Sequence, residues 1–160
     1  MEFEIKDGKG DIKEYYINGE LVFEGEYLNG RRNGKGKEYY SDGELEFEGE
    51  YLNGRRNGKG KEYYDNGKLK SEGEYLSGKE NGKMKEYDKG GILRFEGEYL
   101  NGRRNGKGKE YYDDGFLKFE GEYLNGKKWN GKVAKYNNLG FLIIEEEYLN
   151  GEIVNTIENI

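Results

Sequence analysis

Residues 23–51 read FEGEYLNGRRNGKGKEYYSDGELEFEGEY, and the five residues that open this stretch also close it. The string EGEYLNG starts at Glu24, Glu48, Glu96 and Glu120, with EGEYLSG at Glu72, a period of 24. A last copy, EEEYLNG from Glu145, arrives after 25 residues because KKWNGK is one residue longer than RRNGK. The other half of the repeat, NGKGKEYY, starts at Asn33, Asn57 and Asn105, with weaker copies from Lys9, Asn81 and Asn130. Phe3 stands one period before Tyr27, so about six repeats occupy residues 1–151 and leave the tail 152–160 outside the pattern.

Each repeat reads as two strands and two turns. In Leu45–Leu52, Leu45, Phe47, Gly49 and Tyr51 alternate with Glu46, Glu48 and Glu50, which is the period of a half-buried strand. A shorter strand is expected over Lys35–Tyr40, KGKEYY, ending in aromatics that favour strands. Asn18-Gly19, Asp42-Gly43, Asn66-Gly67, Gly90-Gly91 and Asp114-Gly115 supply the positive φ that tight hairpin turns need. The opposite connection, LNGRRNG, is read as a turn throughout. A helix is disfavoured by the glycine density. One hairpin cannot hold itself together, so neighbours must stack. The expected fold is all-β, an elongated single antiparallel meander of stacked hairpins. About 14 strands at ~4.8 Å apiece would extend it roughly 60 Å.

Tyr rings beside glycines are expected to form the apolar face, with Gly36, Gly60 and Gly108 coupled to the Tyr four residues on. Where Met84 and Val133 replace the glycine, that Tyr becomes Asp88 and Asn137, although Ile12 keeps Tyr16. On the other face, Glu46, Glu48 and Glu50 are expected to alternate across strands with Lys35 and Lys37. Near the end, Ile143, Ile144 and Glu146 stand where the preceding repeat has Lys118, Phe119 and Gly121. The tail adds Ile153, Val154, Ile157 and Ile160, so it is expected to fold over the last strand as a C-terminal cap.

Composition narrows function. The chain has no His, Cys or Pro, so the commonest general base, thiolates and disulfides are absent. Hydroxyl nucleophiles are confined to Ser41, Ser71, Ser77 and Thr156, Tyr aside. No enzyme activity, cofactor or metal is expected. With 33 acidic and 27 basic residues the formal charge is −6, which argues against nucleic acid as the partner. No apolar run is long enough to span a membrane, and MEFEIKDGKG lacks the order of a signal peptide, so a cytoplasmic protein is expected.

The stretch 23–51 resembles the MORN repeat, with its aromatic-x-Gly-x-aromatic start, later Gly-x-Gly and terminal turn glycine. The resemblance covers about nine tenths of the chain. A period of 24 rather than 23, and Tyr51 and its equivalents where Trp is typical, bring it nearer to the bacterial-style variant found in proteins labelled antitoxin components. The resemblance implies scaffolding, homodimerisation or membrane-proximal recruitment.

Three rows of residues are candidate sites. The aromatic row Phe3, Tyr27, Tyr51, Tyr75, Tyr99, Tyr123 and Tyr148 would line a groove for a protein partner, with Tyr27 to Tyr123 as its contacts and Ser71 leaving a notch. The arginine pairs Arg31-Arg32, Arg55-Arg56 and Arg103-Arg104 would be turn residues able to hold an anion or lipid headgroup, weakly, because Lys79-Glu80 interrupts the row. The acidic ladder Glu24, Glu48, Glu72, Glu96 and Glu120, each with the Glu two residues on, would attract a basic partner. The leading expectation is a non-enzymatic scaffold binding a protein along the aromatic groove. The alternative is an antitoxin or immunity protein that neutralises a basic toxin through its acidic face, and phospholipid recruitment is third.

Overall fold

A computed structural model describes residues 8–159; Phe3 and Ile160 lie outside the described residues. Among these residues there is no helix, and thirteen strands follow one another in sequence order in one open antiparallel sheet. The described residues divide into two compact units, residues 8–80 with 89–91, and residues 81–88 with 92–159.

The first unit holds β1 (Lys9–Tyr15), β2 (Leu21–Leu28), β3 (Arg31–Tyr39), β4 (Leu45–Leu52), β5 (Arg55–Tyr63) and β6 (Leu69–Leu76). The second holds β8 (Leu93–Leu100), β9 (Arg103–Tyr111), β10 (Leu117–Leu124), β11 (Lys127–Tyr136), β12 (Leu142–Leu149) and β13 (Glu152–Glu158). Strand β7 (Lys79–Tyr87) gives its first two residues to the first unit and the rest to the second.

The two kinds of turn differ. Asn53 and Gly54 both have positive φ, 51° and 85°, as do Asn29-Gly30, Ser77-Gly78, Asn101-Gly102, Asn125-Gly126 and Asn150-Gly151. Two consecutive left-handed residues make the two-residue hairpin turn whose twist matches that of the strands. At the other end only the glycine is left-handed: Gly43 N–H donates to the Tyr40 carbonyl at 3.0 Å, Tyr40 N–H donates to the Glu44 carbonyl at 2.9 Å, and Asp42 accepts from Glu44 N–H. That is the longer loop with a glycine bulge.

The expected turn LNGRRNG is therefore too long. Its turn is only Asn-Gly, and the arginine pairs already belong to β3, β5 and β9. A bulge hides this in sequence. Gly49 pairs with Gly60 but Tyr51 pairs with Arg56, so β5 carries two more residues than β4 between these pairs. Within the bulge Gly58 has φ +99°, which a side chain would resist. The second Asn-Gly of the motif docks the following turn. Gly78 N–H donates to the Arg56 carbonyl at 2.8 Å and Ser77 N–H to Asn57 Oδ1 at 3.2 Å.

The core is a zigzag of rings. In the first unit it runs Tyr27, Phe23, Tyr51, Phe47, Tyr75, each step edge-to-face with centroids 5.3–5.9 Å apart. In the second it runs Tyr99, Phe95, Tyr123, Phe119, Tyr148. Phe23, Phe47, Phe95 and Phe119 are 0% exposed, so phenylalanine rather than tyrosine anchors the core.

The glycine coupling needs correction in the same direction. A Cβ on Gly60 would lie 2.4 Å from Phe47 Cζ and 3.2 Å from Tyr75, and Gly36 stands likewise under Phe23 and Gly108 under Phe95. Tyr40, four residues after Gly36, instead reaches away and donates to the Tyr63 carbonyl at 2.7 Å. Ile12, Met84 and Val133 are buried at the corresponding positions, each filling space itself. Ile12 with Tyr16 thus ceases to be an exception.

The tail also differs from expectation. The turn Asn150-Gly151 repeats the geometry of the earlier ones and sends the chain back alongside β12, where β13 pairs from Leu149↔Glu152 to Ile144↔Glu158. It adds a strand at the edge and leaves Ile153, Val154 and Ile157 exposed, rather than crossing the face of β12.

Candidate functional site

The two arginines of each pair, neighbours in one strand, point to opposite faces. Arg56 lies over the Phe47 ring, Cζ 3.9 Å from its centroid, and donates to Glu38 through Nε at 3.1 Å and through Nη2. Arg32 covers Phe23 at 4.0 Å and donates to Glu14 and Glu38; Arg104 covers Phe95 at 3.9 Å and donates to Glu86. Lys128 takes the place over Phe119, 2.9 Å from Glu110. Cation and carboxylate thus roof each phenylalanine, a stacked and forked arrangement for which guanidinium is suited. Burial opposes the charge on Arg32, Arg56 and Arg104, but their glutamates outweigh it and hold each pKa above the ordinary value.

The sequence held a signal for this. In the repeat where Ser71 replaces phenylalanine, the arginine position is Glu80, so ring and cation disappear together. Ser71 is buried beside Glu62 and Tyr75.

Arg31, Arg55 and Arg103 have a different environment. They are exposed and hold no ion pair among the described residues. Each is the cross-strand partner of a leucine, in the pairs Leu28↔Arg31, Leu52↔Arg55 and Leu100↔Arg103, so both side chains emerge on one face at the Asn-Gly tip. Leu28, Leu52, Leu76, Leu100, Leu124 and Leu149 are all exposed. Sequence reading passed over these leucines because each looks like the last apolar residue of a strand.

The tyrosine row is largely occupied with packing. Tyr51, Tyr75 and Tyr123 are 4–5% exposed, while Tyr27, Tyr99 and Tyr148 are half-buried. Tyr99 and Tyr27 donate to Glu86 and Glu14. Three of the five expected groove contacts are therefore core rings. Ser71 is closed off from solvent as well.

On the opposite face the acidic ladder has basic partners. Glu48 pairs with Lys37 and with Lys61, Glu50 with Lys35, and Glu96 with Lys85 and Lys109. Lys109 reaches Glu120 at 3.1 Å. Tyr39, Tyr63 and Tyr111 donate across strands to Glu24, Glu48 and Glu96 at 2.7–2.8 Å. Burial, then the bond to the carboxylate, pushes each phenol from 10.0 up to about 12. A raised folded pKa means the native state holds its phenolic proton more tightly than the unfolded chain. The stability from these bonds is thus complete below pH 10 and is lost as pH rises toward about 12. Denaturant midpoints across that window are expected to fall in the native protein and to fall less in Tyr39→Phe/Tyr63→Phe/Tyr111→Phe. Equal slopes would contradict the assignment.

Among the described residues no three His, Cys, Asp or Glu side chains cluster in a way that could hold a metal ion. The MORN repeat profile matches residues 23–44 and 95–116, and that of the MORN repeat variant matches residues 56–76 and 80–101. No curated protein matches the chain. Matches from both profiles fall on the hairpin repeats of both units, and the chain is a MORN-repeat protein.

Proposed function

We propose that the protein is a non-enzymatic scaffold that binds a protein partner through the Leu–Arg pairs at its Asn-Gly tips. The observation behind this is the division of labour within each arginine pair. Arg32, Arg56 and Arg104 hold the core roof, whereas Arg31, Arg55 and Arg103 stand free beside exposed leucines. An apolar side chain next to an unpaired cation suits a segment that carries both apolar and carboxylate groups. The buried state of Tyr51, Tyr75 and Tyr123 moves the contact surface from the tyrosine row to these tips. The neutralisation of a basic toxin through the acidic face has less support, because lysines interleave that ladder.

The test uses a labelled synthetic peptide of alternating Leu and Glu, titrated into the full chain and followed by fluorescence anisotropy. Saturable, salt-sensitive binding is expected, weakened roughly tenfold or more in Arg31→Glu/Arg55→Glu/Arg103→Glu. The triple variant should keep the parent's circular dichroism spectrum, since none of the three arginines holds the core. Binding that is insensitive to the triple variant would overturn the assignment. Binding to anionic vesicles but not to the peptide would replace it with lipid recruitment, because exposed Leu beside Arg also suits a headgroup surface.

A further inference from the structure

The other end of the second unit carries a feature that the repeat does not require. Each longer loop is closed by a backbone bond between its first residue and the residue four positions on: Tyr16 with Glu20, Tyr40 with Glu44, Tyr64 with Lys68, Asp88 with Ile92, Tyr112 with Phe116 and Asn137 with Phe141. The closing residue is charged in the first three loops and apolar in the last three. Turn geometry does not demand the change, since the closing bond measures 2.7–2.9 Å wherever it is made.

The apolar closers are not buried. Ile92 is 41% exposed, Phe116 42% and Phe141 65%, and Leu139, within the last of these loops, is 81% exposed. Phe116 stacks on Tyr136 with centroids 5.0 Å apart, and Tyr112 meets the same ring edge-on. This end of the unit thus carries one stacked and one edge-to-face ring pair together with exposed apolar side chains, and solvated apolar groups of this kind mark an interaction site.

We propose that Ile92, Phe116, Leu139 and Phe141 form a second docking surface, confined to the second unit, for a protein segment that presents apolar anchors beside Lys or Arg. The sign of the charge comes from the rim. Arg94 is paired with Asp88 and Asp113, Lys118 with Glu110 and Lys135 with Glu146, so the cations near these loops are already engaged. Asp113 and Asp114 project at the Phe116 loop, and Asp114 has no cation among the described residues. A basic group on the partner would complete that rim, whereas an acidic one would be repelled. This surface differs in place and in charge preference from the Leu–Arg tips, so the two fail independently.

The repeats supply the control variant. Ile92→Lys/Phe116→Glu/Phe141→Glu installs at each site a residue that Lys68, Glu44 or Glu20 already places at the same turn position. It is therefore expected to match the parent in circular dichroism, with a denaturant midpoint lowered only by the loss of the Phe116–Tyr136 stack. The probes are two synthetic peptides with identical Leu and Phe anchors, one bearing Lys and one Glu, titrated into the isotope-labelled full chain. The Lys peptide is expected to shift amide resonances at 92, 112–116 and 136–141, and to bind at least tenfold more weakly to the triple variant. Asp114→Asn is expected to weaken it less and to flatten its salt dependence. The proposal is overturned if the Lys peptide does not bind, if both peptides bind alike, or if the shifts fall elsewhere. It is equally overturned if sedimentation shows a parent dimer that the triple variant abolishes, for then a second copy occupies the surface.

Discussion

Phe47→Ala is expected to destabilise the protein by about 3–5 kcal/mol, the loss typical of deleting a fully buried ring. Three contacts end with it. The ring is 0% exposed and meets Tyr51 and Tyr75 edge-to-face at 5.8 and 5.4 Å. It also carries the Arg56 guanidinium, and without it Arg56 remains bonded to Glu38 over a void. The surrounding strands cannot close that void easily, because their registers are fixed by the glycine pairs on either side. Each repeat leans on its neighbours, so the loss should extend beyond one hairpin. Leu52→Ala is the comparison. That side chain is half exposed at the tip and should cost well under 1 kcal/mol. Urea denaturation of the two variants decides the matter. A Phe47→Ala loss no larger than that of Leu52→Ala would show that phenylalanine is not the anchor.

Some of this organisation was legible in the amino-acid order and some was not, for identifiable reasons. The hairpin repeat was legible because FEGEYL alternates cleanly and Asn-Gly is a strong turn signal. The Glu–Lys alternation was legible because register follows from turn position. The arginine pairs were misplaced because a two-residue bulge lets RRNG, which has the composition of a turn, run as strand. Tyrosine was overvalued against phenylalanine because the tyrosine of EGEY and the phenylalanine four residues before it share one period, and periodicity cannot say which is deeper. The deciding clue lay in a departure from the repeat, the joint loss of phenylalanine at Ser71 and arginine at Glu80. The exposed leucines and the apolar closers of the last three loops needed the structure, since exposure is not written in periodicity.

Gly60→Met is expected to approach Phe47→Ala in cost on its own, and to combine with Phe47→Ser at less than the sum of the two losses. The clash is severe: the first added carbon would sit 2.4 Å from Phe47 Cζ and 2.7 Å from Cε2, well inside contact distance. The ring is hemmed in by Tyr51, Tyr75 and Arg56 and has nowhere to move, so overpacking should cost at or beyond the usual 1–3 kcal/mol. The protein's own repeat shows the compensation, because Ser71 and Met84 place a small residue where Phe47 stands and a large one where Gly60 stands. Phe47→Ser alone leaves a void and an arginine without its ring. Gly60→Met alone overfills the same space. Together they return the volume, so the double variant should lose less than the sum of the singles by roughly 1–3 kcal/mol of favourable coupling. Adding Arg56→Glu should not reverse that coupling, since Glu80 occupies that position where Ser71 and Met84 occur together. Additive losses in the double variant would mean that the glycine is needed for the close approach of the strands themselves rather than for the ring that covers it.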